Sequence, residues 1–322
     1  MFDIHTINRN DTKGMDTIMN REELKGLIQG VSCAVPTPFD NNFRLDLDRV
    51  SELTEWWVEN GLGTNEAPIK VASAWGEGPS LNDNEWPELL NTVVKTAGSG
   101  ANVMCGLKMK DTVNTIYDAK KAQDLGANGL QIDLPAFHSP NQDDYVRYYT
   151  DISDAIDIGI MIYNTYWFGC PPITADTMLR LQDAEHVVAV KWNQPVDSDY
   201  DTMTEFSHIF NVIDNSGDNV RCHKNGGRGI VSAFVAVNPQ YELEIWRLLE
   251  EQRYDEAQAK SDKLRNAVGK FKPKTESGGY RLVKGMMEAI GRPAGLNRPP
   301  TLSSEPDDIV QLKNILKDLN WI

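Results

Sequence analysis

Residues 159–191 have the sequence GIMIYNTYWFGCPPITADTMLRLQDAEHVVAVK, and this stretch decides the fold class. It contains two short apolar runs, GIMIY at Gly159–Tyr163 and VVAVK at Val187–Lys191, with a segment of helical pattern at Ala175–Gln182 between them. The runs are apolar at successive positions, as expected of strands that are buried on both faces. A strand, a helix and a second strand in this order predict one β/α unit of a parallel sheet.

The same alternation of apolar run and amphipathic segment occurs eight times along the chain. The other predicted strands are Val31–Pro36, Ile69–Ala74, Asn102–Gly106, Gly129–Leu134, Ile209–Ile213 and Gly229–Ala233. The other predicted helices are Leu47–Asn60, Asp83–Ala97, Thr112–Leu125, Gln142–Ala155, Tyr200–His208, Asp218–Asn225 and Pro239–Glu250. Eight such units predict an α/β fold of the (β/α)8 TIM barrel type. A doubly wound sheet is the alternative, but no G-x-G-x-x-G follows the first strand.

The eight units occupy the central part of the 322-residue chain. We expect a polar N-terminal arm over residues 1–23, the barrel over residues 24–250 and a C-terminal helical region over residues 251–322. Further helices are predicted at Tyr254–Lys270, Gly279–Ile290 and Pro306–Leu319. This length fits one barrel with a helical appendage, because such barrels reach ~250 residues as a single unit.

The charge of the chain restricts its partners. It has 32 Lys and Arg against 47 Asp and Glu, a net charge of −15, which disfavours binding to nucleic acid or to an anionic membrane. No apolar run reaches the ~18 residues of a membrane helix, and the N-terminal residues contain no segment typical of a secretory signal. The four cysteines are widely spaced, as in a cytoplasmic protein with free thiols. The expected partners are small molecules and further copies of the chain.

Two candidate catalytic residues end adjacent predicted strands. Lys191 ends the sixth strand and Tyr163 ends the fifth. In barrels, the carboxyl ends of the strands carry the reactive groups. Burial lowers the pKa of a lysine and makes its amine a nucleophile toward carbonyl carbons, while a neighbouring phenol can transfer protons as an imine forms. A solvated lysine and a packing tyrosine at the rim are the alternative interpretation.

Other chemistries find little support in the sequence. The five histidines lack the spacing of a metal site, and no G-x-S-x-G motif is present, so no metal is expected. The loop after the second strand, Ala74-Trp75-Gly76-Glu77, contains a glycine that lets the backbone approach a ligand and offer N–H groups to an anion. A short turn leading into the next helix explains this loop equally well.

Several segments, in order, resemble one known family. They are GVSCAVPTPF at Gly30–Phe39, WGEGPSL at Trp75–Leu81, IYN at Ile162–Asn164, VVAVK at Val187–Lys191, GGRGIVS at Gly226–Ser232 and NRPP at Asn297–Pro300. From about residue 24 to the C-terminus, the sequence resembles the dihydrodipicolinate synthase / N-acetylneuraminate lyase family of class I, Schiff-base-forming barrels.

The resemblance implies both a fold and a mechanism. It implies a barrel with a C-terminal helical appendage that assembles as a homo-oligomer, a tetramer or a dimer. Lys191 is then the imine-forming lysine and Tyr163 its proton-transfer partner. No cofactor is implied beyond the covalent imine between lysine and substrate. Residues 74–77, together with Gly229 and Ile230 of the GGRGIVS segment, are implied to bind the substrate.

The departures from the family pattern concern the substrate. Ala74 and Trp75 replace two threonines of the family's G-T-T-G-E loop, and Phe137 lies where the synthase has a relay tyrosine. No arginine follows Tyr163 to bind a second carboxylate. Four further aromatic residues, in addition to Trp75, are expected at the mouth of the barrel: Phe137, Trp167, Phe168 and Trp192. This composition favours a substrate with an apolar or aromatic arm.

The leading hypothesis is therefore a class I carbon–carbon or carbon–oxygen lyase that acts on a 2-oxo acid. Its reaction would be that of a pyruvate aldolase or a hydratase-aldolase, with a 2-oxo acid and an aldehyde as reactants. Three alternatives stay open: dihydrodipicolinate synthase-like activity, a sugar-acid dehydratase, and a barrel that binds a small molecule without catalysis.

Overall fold

Eight parallel strands form a closed barrel in a computed structural model that describes residues 19–273 and 279–322. The strands are β1 (Gly30–Ala34), β2 (Ile69–Val71), β3 (Val103–Leu107), β4 (Gly129–Asp133), β5 (Gly159–Tyr163), β6 (Val187–Trp192), β7 (Asn211–Asp214) and β8 (Gly229–Ser232). The first and last strands pair directly, with Gly30 opposite Gly229. This closure confirms the predicted (β/α)8 barrel and excludes the doubly wound sheet.

One helix, α1 (Arg21–Leu27), precedes β1. Further helices lie between or after the strands and cover the outside of the barrel: α2 (Leu47–Glu59), α3 (Glu85–Ala97), α4 (Thr112–Asp124), α5 (Gln142–Ser153), α6 (Ala175–Arg180), α7 (Asn219–Lys224) and α8 (Pro239–Glu250). Three more follow the eighth unit: α9 (Tyr254–Val268), α10 (Gly279–Ala289) and α11 (Pro306–Asp318). Among the described residues, no helix is long and apolar enough to cross a membrane.

Two predicted elements differ from the observed ones. The helix predicted at Tyr200–His208 is a 3-10 helix over Tyr200–Glu205. The strand predicted to reach Ala74 ends at Val71, because Ala72 has a φ of 53° and leaves the extended conformation. The chain therefore enters the loop after β2 three residues earlier than expected.

The amino-terminal end of the barrel is closed by α1, which the sequence analysis did not predict. A capping box at Asn20 and Glu23 begins this helix, which crosses the expected boundary between residues 23 and 24. The buried side chains of Leu24 and Ile28 pack against a group of interior residues: Met104, Met161, Val188, Ala189 and Ile213. Residues 1–18 of the predicted arm lie outside the described residues.

Polar contacts and glycines hold this helix in place. Asn211 donates from Nδ2 to the carbonyl oxygens of Lys25 and Ile28, each at 2.9 Å. Gly129 and Gly159 leave room for Ile28, since a Cβ at either position would lie 2.8 Å from its Cδ1 atom. The amino-terminal end of the barrel is thus filled by side chains, and the carboxyl-terminal end is the one that can hold the site.

We predict that Leu24→Ala destabilises the protein by ~2–5 kcal/mol, because it leaves a cavity among packed side chains. The free energy of unfolding in urea measures this. Leu302 is half-exposed, and Leu302→Ala should change that free energy by about 0.5 kcal/mol or less. Equal effects of the two variants would contradict the proposed closure of the barrel by α1.

Candidate active site

Lys191 and Tyr163 meet inside the barrel at the carboxyl ends of β6 and β5. The two residues are directly opposite each other in the strand register, and the Lys191 ammonium nitrogen lies 3.6 Å from the centre of the Tyr163 ring. Lys191 is only 3% exposed. Burial is the main cause that lowers its pKa well below the usual value; the positive charge of Lys70 acts in the same direction, and Asp133 opposes both. Burial therefore favours the neutral, nucleophilic form of the amine.

Burial has the opposite effect on the phenol. It raises the pKa of Tyr163, and the charge of Asp133 adds to the shift. Tyr163 is therefore protonated at neutral pH and can act as a proton donor.

Two charged residues inside the barrel, Lys70 and Asp133, were not predicted as site residues from the sequence. Lys70 of β2 is fully buried, and its Nζ lies 2.7 Å from Ser32 Oγ. Its pKa is lowered to about 8, mainly by burial. Asp133 ends β4, and burial raises its pKa to about 7, opposed by the charges of Lys191 and Lys70. The two-residue alternation of the strands predicts that both side chains face the interior of the barrel, since every second residue of a strand does so.

The loop after β2 is anchored to the C-terminal helices. Glu77 is 1% exposed and pairs with Lys284 of α10 at 2.7 Å. Burial raises the pKa of Glu77, and the ammonium group of Lys284 opposes this shift. The structure therefore places the Glu77 carboxylate in a buried ion pair behind the loop. The role expected of Glu77 in binding the substrate concerned its backbone N–H group and stays a prediction.

The glycines of this loop serve close packing. A Cβ at Gly78 would lie 1.8 Å from the Ala72 carbonyl oxygen, and one at Gly76 would lie 2.9 Å from that of Val35. Thr37 donates its hydroxyl to the Gly76 carbonyl oxygen at 2.5 Å. The backbone therefore folds tightly against β1, while Ala74 and Trp75 stay partly exposed.

A cavity of about 560 Å³ lies next to the carboxyl ends of β7 and β8. Trp75 lines it from the loop after β2. Its other apolar lining residues are Val231, Ala233, Phe234, Ile245, Leu264 and Val268. Its polar lining includes Asp214, Ser232, Glu242 and Arg265. The cavity thus combines an apolar wall with a small number of charged groups.

The remaining predicted aromatic residues are not gathered at one place. Trp167 contacts the Tyr163 ring with centres 5.5 Å apart, and Phe168 lies beside Trp167. Phe137 is 88% exposed at the surface of the chain. These three residues follow β4 and β5, on the side of the barrel away from the cavity. Of the five predicted aromatic residues, Trp75 is the one that lines the cavity.

Trp192 corrects the expectation most clearly. Its ring is 0% exposed and packs against Phe206 in the helix layer, and its Nε1 donates to the Tyr200 carbonyl oxygen at 3.0 Å. Neighbouring strand residues face opposite sides. Because Lys191 faces the interior, Trp192 has to face the helices.

Gly229 and Ile230 also lie away from the cavity. Gly229 is packed against β1, where an added Cβ would lie 2.5 Å from the Gly30 carbonyl oxygen. Ile230 is buried in the core between barrel and helices. The residues that follow, from Val231 to Phe234, line the cavity instead.

Active sites of (β/α)8 barrels lie at the carboxyl ends of the strands. Here that end holds the buried amine of Lys191, the phenol of Tyr163 and the carboxylate of Asp133. The chain belongs to the dihydrodipicolinate synthetase family, whose model matches residues 27–319. Members of this family are lyases of the pyruvate-dependent aldolase type.

Individual relatives agree with this assignment. The 4-hydroxy-tetrahydrodipicolinate synthase of Kineococcus radiotolerans is 28% identical over 294 residues, which are 88% of this chain and 90% of that protein. The crystal structure of the dihydrodipicolinate synthase of Thermotoga maritima is 25% identical, with a TM-score of 0.79 over 92% of this chain and 100% of that one. A structure described as the first monomeric dihydrodipicolinate synthase variant is 24% identical, with a TM-score of 0.81 over 96% and 100%.

We predict that Lys284→Met destabilises the protein by ~3–5 kcal/mol, because it leaves the Glu77 carboxylate buried without its counter-ion. Lys270 forms an exposed pair with Asp318, and Lys270→Met should change the free energy of unfolding by ~0–1 kcal/mol. Combining Lys284→Met with Glu77→Gln should recover part of the loss. Urea unfolding of the three variants checks this, and a loss in Lys284→Met no greater than in Lys270→Met would be the contrary result.

Proposed function

We propose that the protein is a class I lyase in which Lys191 forms an imine with a 2-oxo acid, pyruvate or a pyruvate adduct. The observation that carries this proposal is the buried amine of Lys191, 3.6 Å from the Tyr163 ring. The amine attacks the keto carbon, and loss of water gives an imine that accepts electrons when a carbon–carbon or carbon–oxygen bond breaks. Tyr163 supplies a proton to the departing oxygen.

The second buried lysine, Lys70, is assigned a different role. Its ammonium group donates a hydrogen bond to Ser32 deep in the barrel, and Lys70 is 0% exposed. Lys191 lies at the carboxyl end of its strand, where a substrate can enter. We infer that Lys191 is the nucleophile, while the charge of Lys70 helps to keep it neutral.

The carboxylate of the 2-oxo acid is proposed to bind at the loop after β2. The N–H groups of Glu77 and Gly78 already donate to the carbonyl oxygens of Ala74 and Ser73. The backbone at Trp75 and Gly76 therefore offers the N–H groups for the anion. The buried Ser73 hydroxyl, which has no hydrogen-bond partner among the described residues, is a further donor in place of the missing threonines.

The substrate arm is proposed to occupy the cavity beside β7 and β8. Trp75 and Phe234 support an apolar or aromatic arm, as in hydratase-aldolases that act on aromatic pyruvate adducts. One observation favours a second candidate, synthase-like condensation with an acidic aldehyde. Arg265 lines the same cavity, and its guanidinium can bind a second carboxylate, although the segment after Tyr163 contains no arginine.

The chain is also proposed to self-associate. Val113, Tyr117 and Phe137 are large apolar side chains exposed on α4 and after β4. A monomeric variant is described among the related structures, so the fold alone does not set the oligomeric state, and sedimentation equilibrium measures it directly.

We predict that borohydride reduction in the presence of pyruvate adds a pyruvate-sized mass to the protein, located at Lys191 by peptide mapping. Lys191→Ala should abolish the adduct. Lys70→Met should keep it, because the amine that attacks is unchanged. An adduct that survives Lys191→Ala would refute the assignment of the nucleophile. A folded protein that forms no adduct would favour a barrel that binds a small molecule without catalysis.

We predict that Trp75→Ala lowers kcat/KM for aromatic pyruvate adducts by ~10-fold or more, because an aromatic side chain contributes about 1.5–3 kcal/mol when it is fully buried by a ligand. Val310→Ala is the control, since Val310 is exposed on α11 and does not line the cavity, and it should leave kcat/KM within about twofold. If Arg265→Ala, rather than Trp75→Ala, lowers the activity, and acidic aldehydes are the better acceptors, the synthase-like alternative is correct. Turnover of sugar-derived 2-oxo acids, measured in parallel, tests the alternative that the protein is a sugar-acid dehydratase.

A further inference from the structure

Asp133 lies level with the proposed catalytic pair. The strand register places Asp133 of β4 opposite Tyr163 of β5, and Tyr163 opposite Lys191 of β6. Registered residues of neighbouring parallel strands face the same side of a sheet, with the strands ~4.8 Å apart. Three ionisable side chains therefore face the interior of the barrel in one row, and the carboxylate at the end of that row has no role in the function proposed so far.

Charged and titratable groups face Asp133 from four elements. The amines of Lys191 on β6 and Lys70 on β2 are the positive charges that act on it. Tyr163 on β5 is a neutral phenol, as are Tyr148 and Tyr149 of α5, because burial raises the pKa values of all three. Tyr149 donates its hydroxyl to the backbone oxygen of Asp133 at 3.1 Å. This bond holds the backbone of Asp133 and leaves its side chain directed into the barrel.

Asp133 lies at the mouth end of β4. Asp133 is partly exposed, unlike the other four residues of β4, which are buried. Lys70, by contrast, is fully buried. A molecule joined to Lys191 in the mouth of the barrel therefore meets the Asp133 side chain before it meets the deeper lysine.

The remaining groups near Lys191 do not supply a base. The hydroxyls that the resemblance leads one to expect in the loop after β2 and after β4 are replaced by Ala74, Trp75 and Phe137. Tyr163 keeps its proton at neutral pH because burial raises its pKa. Glu77 is held in its ion pair with Lys284. A carboxylate whose pKa is about 7 is half ionised near neutral pH, which is the condition that suits a general base.

We propose that Asp133 is a catalytic residue, the base that removes a proton from C3 of the 2-oxo acid once that acid is joined to Lys191. This inference rests on the proposed function. The C3–H bond breaks and its proton goes to the Asp133 carboxylate. The imine nitrogen is protonated, so the C3–H electron pair forms the C2–C3 double bond, the pair of the C2–N double bond moves to the positive nitrogen, and a neutral enamine results. In the reverse direction, the same carboxyl group returns the proton to C3.

The experiment follows C3 directly and needs no aldehyde partner. Exchange of the methyl protons of pyruvate for deuterium, recorded by proton NMR at saturating pyruvate, measures enamine formation on Lys191. Asp133→Asn should lower the exchange rate by ~100-fold or more, while borohydride still traps pyruvate on Lys191. Asp118→Asn is the matched control. It removes another buried carboxylate, which lies on α4 outside the ring of strands and pairs with Lys110, and it should leave the exchange rate unchanged.

The pH profile separates a base from a structural role. In the unchanged protein, the exchange rate should rise with pH through an apparent pKa of about 7 and then level off, because only the ionised carboxylate accepts a proton. This rise should be absent in Asp133→Asn. Asp133→Glu keeps a carboxylate that is displaced by one methylene; it should keep the rise and lose about tenfold or more in rate. It also provides the test if Asp133→Asn fails to fold.

Two results would overturn the inference, and they are distinguishable. Exchange in Asp133→Asn at the rate of the unchanged protein, or with the same rise in pH, would show that Asp133 is not the base and would leave the imine on Lys191 intact. Absence of trapping and of exchange in the unchanged protein would overturn the proposed function together with this inference.

Discussion

The removal of the Lys191 amine from water is the physical condition on which the site depends. An ammonium group inside a closed barrel loses its hydration, and the nearby charge of Lys70 makes the positive form still less favourable. The same burial raises the pKa of Asp133 toward neutrality and keeps the Tyr163 phenol protonated. One environment therefore suits the nucleophile, the base and the acid proposed here for Lys191, Asp133 and Tyr163, and each of these residues is carried by a different strand.

The rest of the molecule maintains this environment from both ends. Below, α1 fills the barrel with Leu24 and Ile28, so that the interior is closed on one side. Above, the Glu77–Lys284 pair ties the loop after β2 to α10. A second buried pair, Arg281 with Asp308, joins α10 to α11. The C-terminal helices are thus part of the support of the site, since they fix the loop that is proposed to bind the carboxylate.

Much of the fold could be predicted from the sequence, because each β/α unit has an apolar run and an amphipathic segment of its own. The carboxyl ends of β5 and β6, where Tyr163 and Lys191 lie, could be predicted in the same way. The helix α1 was missed because its seven residues, REELKGL, are mostly polar. Phe137 and Phe168 could not be placed from sequence, since loop conformation decides whether a ring points inward.

Other residues were within reach of the sequence and were misjudged. Trp192 follows Lys191 directly, so the two-residue period of a strand already places the two side chains on opposite faces. The same two-residue period puts Lys70 and Asp133 inside the barrel. The sequence around each of them does not indicate which residues of other strands lie beside it. The register of the closed barrel brings Lys70 and Asp133 near Lys191, although the strands that carry them are far apart in the chain.

The most direct test of the central claim is a crystal structure of the protein soaked with pyruvate. The account predicts continuous electron density between Lys191 Nζ and C2 of pyruvate, with the pyruvate carboxylate at the backbone of Trp75 and Gly76. Pyruvate held without a covalent bond, or joined to Lys70, would contradict it.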